Sequence, residues 1–592
     1  MSRKMRGANN NYSIPVLQSN NLNAVTNKEK ANLLAESFSA ISSNNNYSPT
    51  FQQFKQDFEL KNKEEFTDNS TDAQKDNHLN MQFTLAQLKL AIQSCNKNKS
   101  AGPDNIPYEF LKELPELSLT ELLKFYNYLY NAGKLPQRWK HAIILPLYKP
   151  DKTKSDPLSY RPISLTSCLC KVMEKLVNQR LTHFLESNRL LNNCQTGFRK
   201  NKSTLDQIIK LQDKISKYNN NRGFTVAVFL DFEKAYDMLW RKGLMTKLKN
   251  LGINGNMFSF INDFIENRTF QVKVGAEMSD TKLLENGTPQ GSIISPILFL
   301  VMINDIDVGN TGVDLSLFAD DSATYKSGKN INQLLKDIQT SLNSISKWAD
   351  KWGIKISNSK SVGIIFTHRV KYNILNPLTL NGNPLKMETK AKFLGMIYDK
   401  KLTWRDHVQY IEDRCKARLN LMRSLTGTGW GASKESLLTI YRALIRSLLD
   451  YGAEALDSAS ESVKSRFDVI QSKALRICCG AMNGTAVAAL QSECGEPPLS
   501  IRRLKQQLKY SIKVKSMADH PSKNVLEDHW TNYYGKNKQN NNVSIYNKVS
   551  EIINDMQVEQ IRVDKHPPWL LRSFDIDKSL SKSIKRRLTH QL

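Results

Sequence analysis

Cysteine is scarce, with eight in 592 residues, and neither Cys168–Cys170 nor Cys478–Cys479 has zinc-site spacing. The nine histidines include no His-x3-His ligand pair. These two scarcities exclude a zinc module and a disulfide scaffold. The thiols read as reduced and structural, as in an intracellular protein. No apolar run reaches the roughly 20 residues that a membrane helix needs. The opening "MSRKMRGANNNYSIP" has no apolar signal-peptide core. An intracellular, non-secreted protein of nucleus or cytoplasm is therefore expected, with no membrane partner. Internal repeats are absent too, which excludes a solenoid. Acidic residues are in deficit: 57 Asp and Glu against 84 Lys and Arg, a formal charge of +27. A folded protein so basic calls for a polyanionic partner, nucleic acid before others. A merely soluble basic protein is the competing explanation.

Residues 1–80 are rich in Asn, Ser and charge, and are expected to be largely disordered apart from a short helix near "KEKANLLAESFSAI". Helical spacing starts at "FTLAQLKLAIQS", and residues 81–140 are expected to be a helical extension. "KHAIILPLYKP" predicts a strand stopped by Pro150, and "YRPISL" starts extended because residues before proline avoid the helical region. "TVAVFLDFEKAYD" predicts a buried strand of four to six residues that then turns toward helix. "LSLFADDSATYKS" predicts two short strands around an Ala-Asp-Asp turn. Leu335, Ile338, Leu342, Ile345, Trp348 and Trp352 form one helix face, ended by Gly353. The two tryptophans read as core rather than as a base-stacking surface. The 141–400 stretch is mixed α and β. Helices alone follow over 401–520, and 521–592 is a basic, weakly structured tail.

Asp231 ends the first buried strand, and Asp320 and Asp321 stand side by side inside an apolar run. Adjacent carboxylates repel one another and resist burial. Three carboxylates from two strand ends can hold two Mg²⁺ ions, which prefer oxygen ligands and keep substrate phosphates in their shell. Taken singly, a capping aspartate and a β-turn pair are the better explanation of these residues. Their order along the chain decides between the readings.

"SAGPDNIP", "YRPISL", "TGFRKNKST", "LDFEKAYD", "NGTPQGSIISPILF", "FADD", "SNSKS" and "KFLG" follow one another between residues 100 and 395. As an ordered set they resemble the reverse transcriptase of a non-LTR (LINE-type) retrotransposon, in the jockey or I-like range, over roughly 80–510. The resemblance implies an α+β right-hand polymerase fold: fingers and palm over 141–400, built of antiparallel sheet plus helices, then a helical thumb. It implies an RNA-directed DNA polymerase that joins dNTPs to a primer 3′-hydroxyl with two Mg²⁺ ions, Mn²⁺ being the substitute. Its partners are an RNA template, a DNA primer or nicked target DNA, and dNTPs.

By the same resemblance Asp231, Asp320 and Asp321 are the metal carboxylates, Asp320 carrying most of the load, with the backbone carbonyl of Phe232 a further ligand. Arg161 matches the triphosphate-contacting arginine, since a guanidinium grips phosphate in a bidentate way that lysine cannot. Lys149 is its companion, and Arg199 a candidate for template or nucleotide contact. A solvated surface charge competes with each basic assignment. Tyr236 is the steric gate that fills the space of a ribose 2′-hydroxyl and so favours DNA synthesis. Gly287 and Gly291 allow close approach of a base pair or sugar, and Gln290 hydrogen-bonds nucleotide or template. Lys360 either protonates pyrophosphate, contacts phosphate or is structural. Phe393, Leu394 and Gly395 match the primer-grip turn. Arg502 and Arg503 are further candidates for nucleic-acid contact.

No endonuclease, RNase H or zinc-knuckle segment is recognisable. Two other functions share these features. A group II intron-type reverse transcriptase and maturase shares the palm motifs, but no maturase segment is seen. A catalytically silent RNA-binding remnant is the non-enzymatic reading, and the intact aspartates argue against simple decay.

Overall fold

The strand Phe224–Glu233 organises the molecule, because its alternate side chains feed two different cores. The computed structural model describes residues 14–526 except 20–21, 64–77, 151, 307, 310 and 428–429, together with 549, 558 and 559. Phe224, Val226, Val228, Leu230 and Phe232 enter one core, with Ile338, Leu342, Ile345 and Trp348 of the helix Ile331–Trp352. Ala227 and Phe229 enter the other, with Ile208, Leu211 and Ile215 of the helix Thr204–Asn220 and with Phe393. Burial on both faces explains the continuous apolar run, and each such side chain stabilises by about 1.5–3 kcal/mol.

This strand lies mid-sheet. Val362–Phe366 flanks it on one side and Asp321–Gly328 on the other, both antiparallel, and Asp314–Phe318 closes the far edge. The register places Asp321 opposite Asp231. In a second sheet His141–Tyr148 pairs antiparallel with Tyr160–Leu165 and parallel with Arg268–Val274. The predicted helix face from Leu335 to Trp352 is buried, capped by Asn330 at its start and by left-handed Gly353 at its end.

Two expectations are corrected here. The 1–80 segment was expected to be largely disordered. Instead, 14–63 contains a strand pair (Leu17–Ser19 with Leu22–Ala24) and the helices Asn27–Ile41 and Pro49–Lys61. Leu34 and Phe38 pack with Ile144, Phe270 and Val272 of the second sheet, and Phe51 meets Trp240 edge-on at 5.5 Å. The polar residues that suggested disorder are caps and turns. Thr26 and Glu29 form a capping box, Ser48 caps the next helix, and Asn44–Asn46 is a single 3₁₀ turn between them. The chain after Asp231 was expected to turn toward helix. It continues as strand to Glu233 and enters a turn at Lys234, φ 49°, closed by the Asp237 N–H donating to the Lys234 carbonyl.

Among the described residues after Asp399, the regular elements are helices, chiefly Arg405–Arg423, Glu461–Cys479 and Leu499–Lys515. Val408, Ile411, Cys415 and Leu419 form the buried stripe of the first. The last returns to the helix Thr204–Asn220, where the Tyr510 hydroxyl donates to Asp206 at 3.0 Å. The expectation for the tail falls almost wholly outside the described residues. All eight cysteines are free. No described helix is long and apolar enough to cross a membrane.

Candidate active site

The strands Asp314–Phe318 and Asp321–Gly328 are joined by the two-residue turn Ala319–Asp320, with Phe318 opposite Asp321. Ala319 has φ 55°, a left-handed conformation unusual for a residue with a Cβ. Directly opposed residues of antiparallel strands share a face, so Asp231 and Asp321 project together. Burial first, then repulsion from Asp320 and Asp231, pushes Asp321 up to about 6. Asp320 is likewise raised, by burial and then Asp231, while its own backbone N–H and the Arg161 charge pull the other way.

Both backbone groups of Asp231 face the same strand edge. Its N–H donates to Ser361 Oγ at 3.2 Å and its carbonyl accepts from Ser357 N–H at 2.8 Å. Backbone alternation therefore turns the carbonyl of Phe232 to the opposite edge, toward the turn at Asp320. The Phe232 ring is buried against Trp348. Lys360 places Nζ 3.2 Å from Asp231 Oδ2.

Among the described residues, no three His, Cys, Asp or Glu side chains close on one metal-sized point. The donor set nonetheless suits a hard divalent cation. It offers carboxylates and a backbone carbonyl, and two of the carboxylates are raised, first by burial and then by their neighbours' charge.

Tyr236 stacks on Phe299 with centroids 4.4 Å apart, and its buried hydroxyl has no hydrogen-bond partner. Burial and then the charge of Asp320 raise its phenol. Beside it, Gln290 Nε2 donates to both oxygens of Asp237 at 2.9 and 3.0 Å, and its carbonyl accepts from Ser164 N–H at 2.8 Å. Burial raises Asp237 to about 6, against the lowering effect of Gln290 and Lys149. Arg161 is exposed on the neighbouring strand, opposite Leu147. Lys149 donates to the Leu158 carbonyl at 2.9 Å.

Gly287 and Gly291 serve a different neighbour from the one expected. A Cβ on Gly287 would lie 2.4 Å from the Tyr236 carbonyl oxygen, and one on Gly291 would lie 2.8 Å from that of Ser164. Left-handed φ values of 74° and 117° add to the requirement. The close approach is protein backbone to protein backbone, and it seats the loop under Tyr236.

Arg199 is a correction. It is 8% exposed, pairs with Glu186 at 2.6 Å, and donates to the carbonyls of Asn192 and Gln195 at 2.8 and 3.1 Å. Its donors are used inside its own loop and do not point to a template. Arg502 pairs with Asp450 at 2.5 Å and Arg503 is buried, so neither offers a free guanidinium.

Phe393 packs on Phe229 at 5.1 Å, directly behind the site. Leu394 and Gly395, with φ 47° and 82°, make the tight turn between Lys390–Phe393 and Met396–Asp399. The Tyr451 hydroxyl donates to the Leu394 carbonyl at 2.6 Å, and the phenol senses the charge of Asp321. Sequence reasoning missed Tyr451, Gln195 and Asp237 as parts of this assembly. Tyr451 and Gln195 reach it only through partners far along the chain. Asp237 lay inside a quoted motif, one residue from Tyr236.

Two adjacent strands and the turn between one of them and its neighbour thus bring three carboxylates together, with a buried aromatic ring and a basic strand beside them. Residues 149–398 match the family model described as reverse transcriptase (RNA-dependent DNA polymerase). The chain is 31% identical over 399 residues to the probable RNA-directed DNA polymerase from transposon BS of Drosophila melanogaster, covering 66% of this chain and 44% of that one. It is 29% identical over 405 residues to the RNA-directed DNA polymerase from mobile element jockey of the same species, covering 67% and 44%. A retrovirus-related Pol polyprotein from type-1 retrotransposable element R1 of Bradysia coprophila is 25% identical over 373 residues, covering 62% and 36%. The chain thus spans less than half the length of these relatives. Its similarity is to the RNA-directed DNA polymerases of retrotransposons, and the reverse transcriptase match lies in residues 149–398.

Proposed function

We propose that this chain polymerises DNA on an RNA template, joining dNTPs to the 3′-hydroxyl of a DNA primer or a nicked target strand. The observation that carries the reading is the register of Asp231 against Asp321, with Asp320 in the adjoining turn and Tyr236 within reach of its charge. The two sheets and their helices then act as palm and fingers, and the helices after 400 as thumb. Reverse transcriptases generally use divalent metal ions. Here Mg²⁺ on Asp231, Asp320, Asp321 and the Phe232 carbonyl would supply activation of the attacking hydroxyl and stabilisation of the leaving phosphate.

The protein's own groups do the positioning. Arg161, whose charge reaches Asp320, binds the triphosphate in bidentate fashion. Tyr236, held by its stack on Phe299, excludes a 2′-hydroxyl. The Asp237–Gln290 pair keeps the loop under the sugar in place. The 393–395 turn holds the primer end against the face shared by Asp231 and Asp321. Holding both reactants in line supplies much of the acceleration.

Purified protein with poly(rA), oligo(dT), dTTP and Mg²⁺ should extend the primer. Tyr236→Ala should extend it and also accept ribonucleotides, narrowing the preference for dNTPs by about tenfold or more. Absence of extension across a range of salt and metal conditions would overturn the assignment.

A further inference from the structure

We propose that Gln195 is a positioning residue for the polymerase turn: its amide holds Ala319 left-handed and so aims Asp320. The inference rests on the reading of Asp320 as a metal ligand. A residue with a Cβ does not adopt φ 55° without help, and glycine is the usual choice there. The help comes from a loop 124 residues upstream in sequence. Gln195 Oε1 accepts the Ala319 N–H at 3.1 Å, and Gln195 Nε2 lies 3.5 Å from the Ala319 carbonyl. One buried amide, 2% exposed, thus faces both backbone groups of the strained residue.

The brace is itself held. Gln195 Oε1 also accepts Gly197 N–H at 2.7 Å. The loop joins the strand before the turn at two points: Leu317 N–H donates to Cys194, and Thr196 N–H to Leu317, each at 3.0 Å. Gln207 Nε2 donates to the Cys194 carbonyl at 2.7 Å, and Arg199, tied to Glu186, donates to the Gln195 carbonyl. Gly197 leaves room for this seating, since a Cβ there would sit 2.3 Å from Ala319 N. This gives the buried Arg199 a purpose: it anchors the brace.

The test compares Gln195→Met, close in size but without either polar group, with Gln195→Met/Ala319→Gly, in which residue 319 adopts the left-handed conformation unaided. Mn²⁺ binding to the nucleotide-free protein is read by electron paramagnetic resonance, alongside kcat, KM for dNTP, primer–template Kd and the melting temperature. Gln195→Met should weaken Mn²⁺ binding and lower kcat by about tenfold or more, with primer–template Kd within about twofold of wild type. The double variant should recover most of both losses. Unchanged Mn²⁺ binding in Gln195→Met, or no recovery in the double variant, overturns the proposal. If Gln195→Met fails to fold, Gln195→Glu keeps the acceptor for Ala319 N–H while losing the donor. It should then fold and show intermediate Mn²⁺ binding, and wild-type binding would count against the brace. A wild-type protein that binds Mn²⁺ but does not extend primers sinks the polymerase reading alone, and the Mn²⁺ comparison still decides the brace.

Discussion

Two tight turns face the same carboxylates, and each bends through a residue that ordinarily avoids its conformation. Ala319, φ 55°, precedes Asp320; Leu394, φ 47°, precedes Gly395. Each costs on the order of 1–2 kcal/mol and persists only where its surroundings impose it. The first is faced on both backbone groups by one buried amide from a loop of the mixed sheet region. The second is held by a single hydroxyl, that of Tyr451, from the helical module. The turn that carries Asp320 is thus braced from within its own sheet region, whereas the 393–395 turn is braced from the helical module after Asp399. The same kind of local strain serves fixed placement in one case and a connection between subdomains in the other.

The largest effect should come from chemistry without change of shape. Asp320→Asn keeps the first turn and removes its charge, and primer extension should fall by about 10³-fold while the melting temperature holds or rises. A comparable loss of melting temperature would show that the carboxylate is structural. The second turn should be more tolerant. Tyr451→Phe removes the hydroxyl's hydrogen bonds to the Leu394 carbonyl and to Thr204, worth about 0.5–1.5 kcal/mol each. Extension should drop by about three- to tenfold, mostly as weakened use of the primer terminus, measured as primer KM. Gly395→Ala meets a left-handed φ of 82° and the Tyr451 ring at 3.1 Å, and should cost about 1–2 kcal/mol in denaturant melts.

The smallest effect concerns pH. Asp321 titrates near 6 in the folded chain, above its ordinary value. The folded state therefore binds the proton more tightly than the unfolded state does. Stability is greatest below the ordinary aspartate range and falls as pH rises to about 6. Asp321→Asn should thus raise the metal-free melting temperature at pH 8 by about a degree or two and leave it nearly unchanged at pH 4. An equal gain at both pH values would contradict a carboxyl raised by burial and then by Asp320 and Asp231.

The mixed region and the helical region also differ in how readily the sequence reveals them. The strand-end positions of Asp231, Asp320 and Asp321 were legible because short apolar strands are local features with a fixed alternation, whereas Arg161 and Tyr236 were singled out only by the resemblance of the motifs that hold them. The buried stripes of the helices Ile331–Trp352 and Arg405–Arg423 were legible for the same reason. Arg199 was misread because a basic residue in a chain of net charge +27 looks free until its partner Glu186 is seen. The helix Asn27–Ile41 was legible, whereas Pro49–Lys61 and the strand pair before both were missed because capping Ser, Thr and Asn look like low complexity when counted rather than placed.

By itself the sequence determined the class of chemistry. Carboxylates at the ends of apolar strands need a countercharge, and periodicity places them without knowledge of the rest. Only the tertiary structure decided which groups hold those carboxylates in place. Gln195 meets Ala319 across 124 residues and Tyr451 meets Leu394 across 57. Such pairs are set by how loops are brought together over a common sheet, and a hydrogen bond carries no periodicity along the chain by which either partner could announce the other.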